Sequence, residues 1–215
     1  IGERLSYPDE KITEGRAADF QEMETDPLSV ILLERKESNK SVVTYGICDE
    51  EFLRDKVPMT KEEIRHLLIC KLKLVANSVV FDIGCGSGSI SIEAAAMSPD
   101  IKVYAIETNP DAVKLTKQNC KKQNLANVKV IENLAPSGFD NLPVPTNVFI
   151  GGSKGNLREI IQSLADKKSG MRIVINAVSL ETIAEVSDIA DDFNISDFEA
   201  VCINVGKAKK IGGYH

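Results

Sequence analysis

Residues 79–91 read VVFDIGCGSGSIS. An apolar run ends in an acid, three glycines then alternate with small residues, and helix-compatible residues follow. The unbroken apolar stretch fits a strand covered on both faces, as in a parallel sheet. Glycine permits φ > 0 and lets another group come close to the backbone. A helix that starts directly after such a loop offers free N–H groups and a partial positive charge. The chain is therefore expected to be α/β, with a ligand lying against residues 84–88 at the carboxyl end of a strand.

The flanking sequence repeats this alternation. Residues 58–74 (PMTKEEIRHLLICKLKL) predict a helix, with Thr60 as N-cap and Glu63 completing a capping box. Ile64, Leu67, Leu68 and Leu72 recur in it at helical spacing. Strands are predicted at 101–107, 127–132, 147–152 and 171–177, with a long sixth strand at 194–206. Helices are predicted at 89–97, at 153–167, from near Ser179, and from Asn109 to about Gln123 with Pro110 at the first position. Strands alternating with helices of this length predict parallel βαβ units and a doubly wound, mostly parallel sheet. The first 36 residues differ. Residues 7–11 (YPDEK) predict a turn, 27–35 (PLSVILLER) a single strand, and 36–41 (KESNKS) a linker. One strand cannot bury its own faces, so this segment is expected to end another domain or to dock on something.

Composition narrows the function. The net charge of −6 argues against a broad nucleic-acid surface, and residues 1–40 carry ten acids against six bases. Residues 206–210 (GKAKK) are locally basic; a solvated surface strand is the first reading, and an acidic small molecule is the alternative use of such a patch. No apolar run reaches the ~20 residues of a membrane span, and no signal peptide is visible. The chain begins with Ile rather than Met and is expected to start inside a longer protein. Its five cysteines (Cys48, Cys70, Cys85, Cys120, Cys202) form no CxxC pair, so neither a disulfide framework nor a metal site is expected. Each is expected to be a small apolar filler in a cytoplasmic protein.

Three ligands could use the glycine loop: a nucleoside triphosphate, a dinucleotide or S-adenosyl-L-methionine. A Walker loop ends in Gly-Lys-Ser/Thr, whereas Ser89 and Ile90 follow Gly88 here. A dinucleotide fingerprint needs G-x-G-x-x-G; the third glycine comes one residue early and Ser89 takes its place, which weakens that reading. Glu107 ends the next strand, where a carboxylate can accept hydrogen bonds from two ribose hydroxyls.

Strand, acid, G-x-G-x-G and the acid of the next strand together resemble the first motif of class I S-adenosylmethionine-dependent methyltransferases. That resemblance places the loop under the methionine part of the cofactor, Glu107 at the ribose and Asp82 near the methionine ammonium. Residues 149–153 (FIGGS) lack the Pro-Pro-aromatic motif of enzymes that methylate amino groups of bases.

Six stretches are more specific: YGICDEEF (45–52), PMTKEEIR (58–65), FDIGCGSGSISIEAA (81–95), AIETNP (105–110), LAPSGFDNLPVPTNVFIGGSKGNL (134–157) and GKAKKIGGYH (206–215). Together they resemble the decarboxylating precorrin or cobalt-precorrin C15-methyltransferases of cobalamin biosynthesis. Residues 1–36 are similar to the carboxyl end of the C5-methylating tetrapyrrole methylase, often fused ahead of that enzyme. The resemblance thus implies a remnant at 1–36, a linker at 37–41 and a methyltransferase domain at 42–215. It implies methyl transfer from S-adenosylmethionine to C15 of the macrocycle, with loss of carbon dioxide from the ring C acetate. The resemblance implies cofactor contacts at Thr60, Asp82, Gly84, Cys85, Gly86, Ser87, Gly88, Glu107, Ala135 and Pro136. Substrate contacts fall on Lys61, Gly152, Ser153 and Lys154, with Arg65, Lys207, Lys209 and Lys210 as further partners for the substrate's carboxylates. His66 is expected to pack or cap rather than to catalyse, and no catalytic base is assigned. Asn133 replaces a usual glycine and is expected to take its left-handed turn. The resemblance also implies a homotetramer formed through the C-terminal region. The competing readings are a methyltransferase for RNA or another small molecule, and a non-catalytic cofactor-binding fragment.

Overall fold

The computed structural model describes residues 1–33, 46–167, 170–193 and 195–208. The chain divides into two compact units, Ile1–Val43 and Thr44–His215. The linker at 36–41, Lys209, Lys210 and the final IGGYH stretch lie outside the described residues.

The first unit holds three two-residue strands, β1 (Gly2–Glu3), β2 (Lys11–Ile12) and β3 (Ser29–Val30), in the antiparallel order β2-β1-β3. Residues 7–10 make the expected turn between β1 and β2, with the Glu10 N–H donating to the Tyr7 carbonyl at 3.1 Å. Of the strand predicted over 27–35, the described residues 27–33 keep only Ser29–Val30 as strand, because β1 offers a ladder of two, and residues 34–35 lie outside the described residues. Leu28, Val30, Ile31, Leu32 and Leu33 stay exposed within the unit, and Glu3 is its one buried residue among those described.

The second unit opens with an irregular strap (residues 46–61) that contains a single 3-10 turn at Asp49–Glu51. There follow α1 (Glu62–Leu72), β4 (Val79–Ile83), α2 (Ser89–Ala96), β5 (Lys102–Glu107), α3 (Pro110–Lys122), β6 (Val128–Glu132), β7 (Asn147–Ile150), α4 (Leu157–Lys167), β8 (Arg172–Ile175) and α5 (Leu180–Asp192). All five strands β4–β8 are parallel, in the order β6-β5-β4-β7-β8. Strand side chains alternate between faces. Phe81 and Ile83 accordingly pack with Leu157, Ile160 and Leu164 of α4 and Ile189 of α5, while Val80 packs with Leu68, Ile69 and Leu72 of α1 and Ile90 and Ala94 of α2. The Asn109 side chain caps α3 by accepting from the Asp111 N–H at 2.9 Å, with Pro110 first in the helix as predicted. No helix among the described residues is long and apolar enough to cross a membrane.

Several expectations change. The N-cap of α1 is Lys61, with no side-chain cap; Thr60 lies one residue outside, and its carbonyl accepts from Arg65 Nη1 at 2.7 Å. The helix expected from Ser153 starts at Leu157, because Lys154 (φ +52°) and Gly155 (φ +86°) turn the chain first. Residues 195–206 form no strand: Val201, Ile203 and Val205 alternate as a strand would, but no ladder partner is present among the described residues and they are exposed. Asn133 is not among the residues with positive φ, so its turn does not use the left-handed conformation. Cys85 and Cys120 are buried fillers, whereas Cys48, Cys70 and Cys202 are exposed.

The strand order reverses between β4 and β7, and their carboxyl ends create the crevice typical of such sheets. Gly84 follows β4 with φ +69°, and a Cβ there would lie 2.5 Å from the Gly152 carbonyl oxygen and 2.8 Å from its nitrogen. Both neighbours are backbone and cannot swing away. Gly84→Ala is expected to destabilise this unit by about 2–4 kcal/mol, from left-handed strain plus overpacking. A lower urea midpoint at unchanged slope would bear this out; an unchanged midpoint would show that the β4 and β7 ends separate freely.

Candidate active site

The loop at residues 84–88 is held from three sides. The Gly84 and Cys85 N–H groups donate to the Ile106 carbonyl at the end of β5, at 2.9 and 3.3 Å. From α3, Thr116 Oγ1 donates to the Gly86 carbonyl at 2.8 Å and Asn119 Nδ2 to the Ser87 carbonyl at 3.0 Å. From the strap, the Pro58 carbonyl oxygen sits 2.9 Å from where a Cβ on Gly86 would lie. Gly84, Gly86 and Gly88 all have positive φ, so the loop coils tightly into the N-terminus of α2.

Glu107 ends β5 and is buried. Its Oε1 accepts from the Thr108 and Asn109 N–H groups at 2.8 and 2.9 Å, and its Oε2 accepts from the Gly86 N–H at 3.0 Å. A carboxylate has about four acceptor sites, so Oε2 keeps capacity for one more donor. Asp82, two residues before the loop, is wholly buried. Its Oδ2 accepts the Ser91 hydroxyl of α2, while its Oδ1 has no partner among the described residues. Burial pushes the Asp82 carboxyl up to about 7, the Ser91 hydrogen bond opposes this, and the charge of Glu107 adds to it. Ser87 Oγ is a second buried polar atom without a partner. Orphaned polar atoms and an open acceptor, gathered beside bare backbone, fit a ligand that brings hydrogen-bond donors, a cation and hydroxyls.

The other expected site residues divide into three groups. Thr60 and Lys61 lie on the strap; Lys61 is exposed, with its ammonium 3.8 Å from Asp49 Oδ2. Ala135 and Pro136 follow β6 through a cis peptide bond, and the Ala135 carbonyl accepts from Asn156 Nδ2 at 3.3 Å. Gly152, Ser153 and Lys154 follow β7, with Gly152 against Gly84 and Lys154 exposed. All of them except those on the strap therefore sit at the carboxyl edge of the parallel sheet, and the strap reaches the loop at Gly86. Arg65 corrects the expectation of a substrate-facing cation: it is wholly buried and ion-paired with Asp49 and Glu93. Lys207 pairs with Glu63 at 2.6 Å, which raises its pKa.

Residues 50–215 match the family model of the precorrin methyltransferase domain. The chain belongs to that family. Among its relatives, the probable cobalt-precorrin-6B C(15)-methyltransferase (decarboxylating) of Sulfurisphaera tokodaii is 47% identical over 142 residues, 64% of this chain and 73% of that protein. The protein of the same name from Methanocaldococcus jannaschii is 41% identical over 174 residues, 80% of this chain and 91% of that protein. The solved precorrin-6y C5,15-methyltransferase of Geobacter metallireducens superposes with a TM-score of 0.72 at 42% identity, covering 76% of this chain and 88% of that one. The sheet order and these neighbours make this precorrin methyltransferase domain a class I S-adenosylmethionine-dependent methyltransferase fold.

Sequence reading missed the groups that hold the precorrin methyltransferase loop in place. Thr116 and Asn119 are fully buried polar residues on the apolar stripe of α3, beside Ala112, Val113, Leu115 and Cys120. A Thr and an Asn at core positions were the available signal, since buried polar groups need partners. Glu93, alone among the apolar and small residues of SISIEAAA, was another.

Proposed function

We propose that this chain methylates C15 of a precorrin or cobalt-precorrin macrocycle and releases the ring C acetate carboxyl as carbon dioxide, in cobalamin biosynthesis. The observation that carries this reading is the junction of residues 84–88 with Glu107 at the switch point of a chain of this family. The names of its relatives support the same reaction. S-adenosyl-L-methionine, when bound, supplies an electrophilic methyl group on a sulfonium. Residues 84–88 give it bare backbone, Glu107 Oε2 takes a ribose hydroxyl, and Asp82 gives the methionine ammonium a counter-charge. Thr60 closes the site from the strap, and Ala135 with Pro136 offers small side chains for a flat base. Gly152 and Ser153 border the substrate side, and the exposed ammonium groups of Lys61 and Lys154 meet its carboxylates. No side chain is assigned as a base, and the rate gain comes from holding donor and acceptor in line.

In this reading residues 1–36 are the end of a C5-methylating domain, and the cytoplasmic enzyme assembles as a homotetramer. Incubation of the purified chain with the ring-contracted macrocycle and the cofactor is expected to give a product that has gained a methyl and lost carbon dioxide by mass. Methylation of bulk RNA instead, or an unchanged macrocycle, would overturn the assignment. Glu107→Ala is expected to weaken binding of S-adenosylhomocysteine by about 1–3 kcal/mol, as loss of charge-assisted hydrogen bonds does. Titration calorimetry reads this directly, and an unchanged dissociation constant would remove Glu107 from the site.

A further inference from the structure

Arg65 is a wholly buried guanidinium in the first turn of α1. Its Nε donates to Glu93 Oε1 of α2 at 2.8 Å. Its other contacts all go to the strap. Nη1 donates to Asp49 Oδ1 at 3.0 Å and to the Thr60 carbonyl at 2.7 Å, Nη2 donates to the Ile47 carbonyl, and the guanidinium lies 4.6 Å over the Phe52 ring. One planar fork thus gathers Ile47, Asp49, Phe52 and Thr60, both ends and the middle of a segment that belongs to no sheet or long helix. The strap's other ties run mostly to side chains: Ile47 N–H to Glu93, Asp49 N–H to Glu62 and Leu53 N–H to Asn119, at 3.0, 3.2 and 2.7 Å, while Asn119 Nδ2 donates to the Leu53 carbonyl at 3.2 Å and Lys122 Nζ and Gln123 Nε2 to the Glu51 carbonyl at 2.6 and 3.4 Å.

A buried ion cluster is a poor device for stability alone, because apolar residues of similar volume often do as well or better. What it supplies is one fixed geometry. A lysine would keep the charge but lose the fork, since its three donors radiate from a single atom. The strap held this way is the one whose Pro58 carbonyl abuts Gly86 and which carries Thr60. We infer that Arg65 is a positioning residue that holds the strap on the glycine loop and so completes the cofactor cradle. The cradle rests on the proposed function; the tie between Arg65 and the strap does not.

The test separates these two. Arg65→Met alone leaves two carboxylates buried beside an apolar chain and risks unfolding. The triple variant Arg65→Met, Asp49→Asn, Glu93→Gln removes the uncompensated charge while leaving the strap without its fork. It is expected to keep a cooperative melt. Amide hydrogen exchange without cofactor is expected to speed up about tenfold or more in peptides from 47–60 and to stay unchanged in β4 and β5. The dissociation constant for S-adenosylhomocysteine is expected to rise about tenfold, because the competent strap position is populated that much less. In turnover, KM for the cofactor rises more than kcat falls. Unchanged strap exchange overturns the inference, as does a dissociation constant within about twofold of the parent. A parent protein that binds no cofactor overturns the proposed function, while the exchange result still decides whether Arg65 holds the strap.

Discussion

Arg65→Met is expected to destabilise the second unit by about 3–5 kcal/mol, the usual consequence of removing one partner from a buried ion cluster. The guanidinium makes four hydrogen bonds at zero exposure, two of them to carboxylates. Burial pushes the Asp49 carboxyl up, but its bond to Arg65 and the charges of Arg65, Lys61 and Arg54 outweigh this and hold it below its ordinary range. Take Arg65 away and the strongest of those partners is gone. Glu93 is left with the Ile47 N–H and a 3.6 Å approach of His66. For a unit of this size the loss corresponds to a melting temperature lower by roughly 6–20 °C. Scanning calorimetry of the single variant beside the charge-neutral triple variant checks the cause. The triple variant is expected to recover most of the loss, since it no longer buries an unpaired carboxylate. A single variant within about 1 kcal/mol of the parent would show that water already reaches the cluster.

Asp82 is expected to make the protein less stable as pH rises through the neutral range. Its carboxyl has an ordinary value of 3.8 and a folded value of about 7. Between those values the folded state holds a proton that the unfolded state has lost, so raising the pH favours unfolding. No contribution exists below the lower value, and the loss is complete above the upper one. From pH 5 to pH 8 it amounts to about 3 kcal/mol. Urea unfolding of the parent and of Asp82→Asn at both pH values isolates it: the variant is expected to gain about 3 kcal/mol relative to the parent over that interval. A constant difference between the two proteins would mean that Asp82 is ionised in the fold at pH 5. A buried carboxyl with one oxygen free of partners among the described residues is suited to a ligand that brings a donor. In the proposed function the cofactor's ammonium is its missing partner.

The glycine loop, its strand and its acid were legible because each rests on a local rule. A short apolar run, positive-φ glycines and a strand-ending acid depend only on neighbours in the chain. The parallel, doubly wound sheet followed from alternation, whereas its strand order β6-β5-β4-β7-β8 depends on contacts distant in the chain. What was not legible depends on contacts distant in sequence. Arg65 reads as a helix-surface cation until Asp49 and Glu93, sixteen and twenty-eight residues away, are brought against it. Thr60 reads as a cap until the Arg65 side chain claims its carbonyl and the helix starts beyond it. Residues 195–206 carry a strand's alternation, but a strand needs a ladder and none is present for them among the described residues. The six longer stretches carried the family itself, and the matched residues 50–215 span five of them in full.

The most direct measurement is a crystal structure of this chain grown with S-adenosylhomocysteine. Electron density is expected along the backbone of residues 84–88, with the ribose hydroxyls on Glu107 and the amino group on the Asp82 side of the loop. Density at any other place, or a Glu107 carboxylate that still contacts only Gly86, Thr108 and Asn109, would contradict it.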